Sequence, residues 1–144
     1  MPGPYIINDL TLLSSLIGKP AVIPDIDKNY GVQCVGLLKY YSDCGGTKSW
    51  TKGDDVSGAC DAKTIARGTA VATFNSEGKY ASNPTGNHAC FFIEEQKDGS
   101  GFLVLEQHVD PFPEKIQIRV LKYNGVPKGG KIEMNNGDCY SVIA

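Results

Sequence analysis

The stretch Asn29-Tyr30-Gly31-Val32-Gln33-Cys34-Val35-Gly36-Leu37-Leu38-Lys39-Tyr40-Tyr41 puts a cysteine behind a glycine-containing turn and at the head of a helical run. A helix N-terminus leaves backbone N–H groups unpaired and carries the positive end of the macrodipole, so a thiolate at Cys34 is favoured there. The same N–H groups can receive the oxyanion that forms when a thiolate attacks an amide. Val35 and Leu38, with Leu37, give the helix an apolar side to bury against a sheet, although Gly36 lowers its propensity. Cys34 is therefore a candidate nucleophile. A buried structural thiol is the competing reading.

The composition sets the frame for that stretch. The chain has 144 residues, 41% hydrophobic and 21% charged, which fits one domain spanning residues 1–144 with its own core. Its 17 glycines speak for many turns rather than long helices. A formal charge of -2 and the lack of any Lys/Arg run give no footprint for nucleic acid. No stretch approaches the roughly 20 apolar residues of a membrane span. The N-terminus has no basic region and its apolar residues are interrupted, so it reads as a helix rather than a secretion signal. Asn8 or Asp9 would cap that helix, Leu10, Leu13, Leu16 and Ile17 would share a face, and Gly18 with Pro20 would end it.

Five cysteines are an odd number, so at least one thiol stays outside intramolecular disulfides. Cys44 and Cys60 bracket a polar loop around Trp50, and a bridge between them would close about 15 residues, worth roughly 3 kcal/mol in the chain-entropy model. Cys90 and Cys139 lie in apolar strand-like segments that suit free thiols. No CxxC or HxxxH spacing points to a metal, and no cofactor is called for. Trp50, the single tryptophan, either packs its loop down or lines a substrate groove.

From Gly68 onward the chain reads as strands. Thr69 to Phe74 is short and apolar, and a turn-rich segment and the loop Ser82 to Asn87 follow. His88 to Glu94 is uniformly apolar between its two end residues, as expected of a central strand. Lys97-Asp98-Gly99-Ser100-Gly101 is a hairpin turn, and Phe102 to His108 returns antiparallel. Ile116 to Leu121 and Asp138 to Ile143 complete the set. N-terminal helices packed on an antiparallel sheet of about five strands make an α+β fold.

A cysteine nucleophile needs a base, and the base needs a third group to orient it. The chain has two histidines. His88 opens a strand next to a Gly-Asn loop and is the first choice; His108, at the end of the returning strand, is the second. The third residue comes from that returning strand. Glu106 is favoured because a carboxylate stabilises an imidazolium, and Gln107 is the neutral alternative, since only one of them can share the face of His88. Tyr30 and Gln33 stand beside Cys34 as oxyanion or substrate contacts. Arg119 and Lys52 are isolated cations that could meet substrate carboxylates or simply face solvent.

A helix opening with cysteine, a strand opening with histidine and a hairpin partner carrying a polar residue resemble the NlpC/P60 and CHAP cysteine peptidases and amidases of the papain-like fold. The match rests on Gln33-Cys34-Val35, Gly68 to Phe74, Gly86-Asn87-His88-Ala89 and Leu105-Glu106-Gln107, over about half of the chain. The Asp-Cys-Ser-Gly pattern of NlpC/P60 enzymes is absent, and Gln33-Cys34-Val35 is closer to the CHAP style. In its small size and missing signal, the chain is similar to type VI secretion amidase effectors and to the related BPSL0067 family. That resemblance implies manufacture in the cytoplasm, export by a secretion machine and action in a rival's periplasm, which would permit a Cys44–Cys60 disulfide. It also implies cleavage of peptidoglycan stem peptides and a cognate immunity protein as partner. A non-catalytic module binding wall or protein on the same fold is the alternative.

Overall fold

A computed structural model describes residues 3–81 and 86–144 of the chain. Its centre is a six-stranded sheet built from β1 (Lys52–Asp55), β2 (Ala70–Thr73), β3 (Ala89–Glu95), β4 (Gly101–Glu106), β5 (Gln117–Lys122) and β6 (Tyr140–Ile143). The order across the sheet is β1-β6-β2-β3-β4-β5, and every neighbouring pair is antiparallel. Helices α1 (Leu12–Ser15), α2 (Cys34–Tyr41) and α3 (Val56–Asp61) complete it. The architecture is α+β with the papain-like layout of a cysteine-headed helix against an antiparallel sheet.

Strand alternation divides the core in two. On one face, Ala70, Ala72, Ala89, Phe91, Ile93 and Leu105 pack against Val35, Leu37 and Leu38 of α2 and Leu13 and Leu16 around α1. On the other, Val71, Cys90, Phe92, Phe102, Val104 and Tyr140 form a second cluster, which Val56 of α3 joins. α2 lies along β3, so its first residue reaches the end of the sheet where β3 begins.

Two regions differ from expectation. The stretch from Cys44 to Cys60 contains β1 and most of α3. β1 reads Lys-Gly-Asp-Asp, whose polarity hides a strand that pairs with β6 only at the sheet edge. That raises the strand count from about five to six. α1 is a single turn: Leu13 and Leu16 are buried, while Leu10 and Ile17 remain exposed. Asp9 accepts from the Thr11 N–H and hydroxyl just before the helix, while the capping position itself is Thr11 and carries no side-chain cap. The expected Ser82–Asn87 loop falls largely on residues 82–85, outside the described residues.

Candidate active site

Cys34 is the first residue of α2. The chain turns at Gly31, whose φ of +74° suits glycine, and runs extended through Gln33 before the helix starts. Two contacts hold this approach in place. Lys39 of α2 pairs at 2.9 Å with Asp27 in the preceding 3-10 turn, both side chains being largely buried. The fully buried Gln107 donates from Nε2 to the carbonyls of Gln33 (2.8 Å) and Val22 (2.9 Å), and its Oε1 accepts the Val22 N–H at 2.8 Å. The Gln107 amide is thus committed to backbone, and these partners do not include His88.

The register of the β3–β4 hairpin decides which polar residue meets the imidazole. Phe91 lies opposite Leu105, so Glu106 falls opposite Cys90, two residues from His88 and on the same face. Glu106 Oε1 lies 2.8 Å from His88 Nε2, with His88 1% exposed and Glu106 fully buried. Gln107, one residue on, faces the α2 side. His108 follows with a φ of +63° and an exposed side chain, which carries it out of the hairpin face.

With Nε2 taken by Glu106, Nδ1 is the imidazole nitrogen left for Cys34. Burial pulls the His88 imidazole down, but hydrogen bonds and charge from Cys34 and Glu106 raise it to about 9. Burial pushes the Cys34 thiol up, yet the hydrogen bond and charge of His88, the Tyr80 hydroxyl and the Ala89 N–H bring it below its ordinary value. The other four thiols, Cys44, Cys60, Cys90 and Cys139, are all pushed up by burial. Cys34 is the one thiol of the five that its surroundings lower, and the imidazole beside it is the one they raise.

Tyr80 was not visible as a site residue in the sequence, because it ends a turn-rich segment between β2 and His88. Its hydroxyl lies 3.6 Å from Cys34 Sγ. The ring packs edge-on against Trp50, with centroids 5.2 Å apart. Trp50 is fully buried and donates from Nε1 to the Cys44 carbonyl at 3.0 Å. A hydrogen bond from the Asn87 side chain also reaches the Tyr80 hydroxyl. Burial and the neighbouring Cys34 charge push the Tyr80 phenol up, so it keeps its proton and serves as a donor.

Several expected contacts fall elsewhere. Trp50 cannot line a groove, because no part of it is exposed; it supports Tyr80 from beneath. Tyr30 is 72% exposed, and Tyr80 is the tyrosine on the thiol. Gln33 has an exposed side chain and offers its carbonyl to Gln107. The Cys44–Cys60 bridge is not formed: both are free thiols, Cys44 in the core beneath α2 and Cys60 against the opposite core cluster. Lys52 pairs with Asp55 at 2.9 Å, and Arg119 pairs with Glu106 rather than standing free for a substrate. Among the described residues no cluster of three or more His, Cys, Asp or Glu side chains is gathered for a metal ion.

A lowered thiol at a helix N-terminus, an imidazole tied to a buried carboxylate and a phenol donor on the sulfur are equipped for acyl transfer. Relatives of the chain carry matching names. Residues 20–143 match the family described as "Dae2: Domesticated amidase effector 2". A "Type VI secretion amidase effector 2 protein" of Salmonella typhi is 36% identical over 117 residues, covering 77% of this chain and 84% of that protein. The solved structure of a "Type 6 secretion amidase effector 2 (Tae2)" matches with a TM-score of 0.77 at 26% identity, over 98% of this chain and 94% of that one. With a family match over most of its length, the chain belongs to the domesticated amidase effector 2 family.

Proposed function

We propose that this protein is a peptidoglycan amidase that works through Cys34, His88 and Glu106 as an interbacterial type VI secretion effector. The observation that carries the reading is the thiol's setting: a helix N-terminus, His88 with its buried Glu106 partner on one side and the Tyr80 hydroxyl on the other. In the reaction, the Cys34 thiolate attacks the peptide carbonyl. The Cys34 N–H and the Tyr80 hydroxyl receive the oxyanion, each such donor being worth about 10²–10³ in rate. His88 gives its proton to the leaving amine, and a thioester remains on Cys34. Water then attacks that thioester, His88 takes the water's proton, and the acid product leaves with the thiolate restored.

Residues 1–144 form one amidase domain in this reading, with the mechanism shared by NlpC/P60 and CHAP enzymes. The protein acts on stem peptides in the periplasm of a target cell after secretion, and the producer holds a cognate immunity protein. Among the described residues, no helix is long and apolar enough to cross a membrane. A non-catalytic binding module would need an unreactive Cys34, and the lowered, partly exposed thiol argues against it. Digestion of purified peptidoglycan by wild type and by Cys34→Ala, with fragments read by mass spectrometry, tests the proposal. Fragments from wild type alone are expected. Their masses separate cleavage after γ-D-Glu from cleavage of the diaminopimelate–D-Ala crosslink, and equal release by Cys34→Ala would overturn the assignment.

A further inference from the structure

Glu106 is held from the side opposite His88 as firmly as it holds the imidazole. Arg119 of β5 donates from Nε to Oε2 at 2.7 Å and from Nη2 to Oε1 at 3.0 Å, a two-pronged grip on a fully buried carboxylate. Its remaining prong, Nη1, donates to the Asn135 side-chain carbonyl. Asn135 belongs to the loop between β5 and β6, and the next residue, Asn136, stiffens that loop. Buried to 2% exposure, Asn136 accepts the N–H groups of Asn124 and Asp138 and donates to the Gly125 carbonyl and to Glu133. The same loop presses on the approach to the base: a Cβ at Gly86, two residues before His88, would stand 2.6 Å from the Ile132 carbonyl.

A buried carboxylate needs a countercharge throughout a reaction cycle. His88 provides one only while it is protonated, and catalysis requires it to give that proton away. Arg119 is charged at every stage. The other groups facing Glu106 supply no positive charge: Cys90 lies opposite it, the Tyr140 ring stands edge-on to His88, and Cys34 lies beyond the imidazole.

Resting on the amidase reading above, we infer that Arg119 is a positioning residue of the reaction, held by the 124–138 loop through Asn135, which fixes Glu106 and keeps it countercharged while His88 cycles. Without the guanidinium, the buried carboxylate loses both the fork that orients it and the charge that offsets its own, and the imidazolium loses its support. The test uses the whole chain as Arg119→Met, Arg119→Lys, Asn135→Ala, Glu106→Gln and the Arg119→Met/Glu106→Gln double variant. Two readouts are followed against pH: kcat and KM on a synthetic stem peptide, and the rate of Cys34 alkylation by iodoacetamide located by mass spectrometry.

Arg119→Met is expected to lose about 10-fold or more in kcat with KM nearly unchanged, and its alkylation profile should begin about a pH unit higher. Arg119→Lys, which keeps the charge but not the fork, should recover part of the loss, and Asn135→Ala should show a smaller shift in the same direction. In the Glu106→Gln background, where no charge needs a partner, Arg119→Met should cost almost nothing further. A folded Arg119→Met with wild-type pH profiles, or an equal loss in both backgrounds, overturns the inference. Should Arg119→Met fail to fold, an Arg119→Lys variant indistinguishable from wild type overturns it as well. If wild type hydrolyses no stem peptide, the amidase reading fails while the alkylation profiles still answer for Arg119.

Discussion

Replacing Tyr80 by Phe removes a single hydroxyl and leaves the ring against Trp50, whose own position is fixed by burial and by its bond to the Cys44 carbonyl. Packing is therefore kept, and stability should fall by no more than the hydroxyl's bond to the thiol supplies, about 1.5–3 kcal/mol. The same bond bears on the chemistry. The hydroxyl sits 3.6 Å from Cys34 Sγ and is one of the contacts that hold that thiol low. A hydrogen bond to a charged group is worth about 1.5–3 kcal/mol, and if it passes to the oxyanion during attack its loss costs about 10²–10³ in rate. The expected outcome is a kcat about 10²-fold lower with KM within a few-fold of wild type. Alkylation of Cys34 should also begin at higher pH, because one stabilising donor is gone. Steady-state kinetics on a stem peptide, iodoacetamide rates and thermal melting measure the three quantities. A folded Tyr80→Phe protein with kcat within about threefold of wild type and an unmoved alkylation profile would refute the role given to the hydroxyl.

Gln107→Ala should destabilise the fold by about 3 kcal/mol or more, since it leaves the Val22 N–H and the Val22 and Gln33 carbonyls without their partner, and urea denaturation measures this. Gly36→Ala gains about 1 kcal/mol in helix propensity but puts a methyl 3.1 Å from Gln107 Nε2 and from the Val22 carbonyl, groups already fixed by hydrogen bonds. Overpacking of this kind costs about 1–3 kcal/mol, so a net loss in thermal stability is expected, and a gain would show that the clamp can yield. The Cys34–His88 pair also sets a pH dependence. His88, raised from 6.5 to about 9, contributes stability that is complete below 6.5 and lost as pH rises through about 9. Cys34, lowered from 9.0, contributes stability that is complete above 9 and lost as pH falls through its folded value. The two trends oppose one another between the folded Cys34 value and about 9, so the pair's share of stability should be nearly level just below 9. Urea midpoints of wild type against a Cys34→Ala/His88→Gln variant across pH 7–10 check this, and a difference that falls steeply as pH rises towards 9 would contradict the ion pair.

The parts of the molecule legible in the sequence are those where local pattern and tertiary role coincide. The Gly31 turn followed by an apolar run does start a helix at Cys34, and the Lys97–Gly101 turn does join two antiparallel strands. The strand Lys52–Asp55 carries no apolar alternation because it closes the sheet at an edge, and neither its pairing with β6 nor α3 behind it leaves a mark in composition. The choice between Glu106 and Gln107 depended on a register that no residue of the hairpin announces. Both are buried, one on each face, and only the pairing of Phe91 with Leu105 separates them. Tyr80 was hidden for another reason: it lies 46 residues from Cys34 and stands in no motif, while Arg119, read as an isolated cation that could meet substrate, gave no sign of its pairing with Glu106 on the neighbouring strand. Of the two uses open to Trp50, packing its loop down is the one found, since the ring is completely buried, while its place against Tyr80 left no mark in the polar loop around it.

Cys34 carries the acyl group in the mechanism proposed above. Mixing wild-type protein with a synthetic stem peptide, quenching in acid during turnover and mapping the digest by mass spectrometry would observe that intermediate directly. A thioester on the peptide containing Cys34, absent from Cys34→Ala together with product formation, is the predicted result. An adduct on Cys44, Cys60, Cys90 or Cys139 instead, or product released at the wild-type rate by Cys34→Ala, would contradict it.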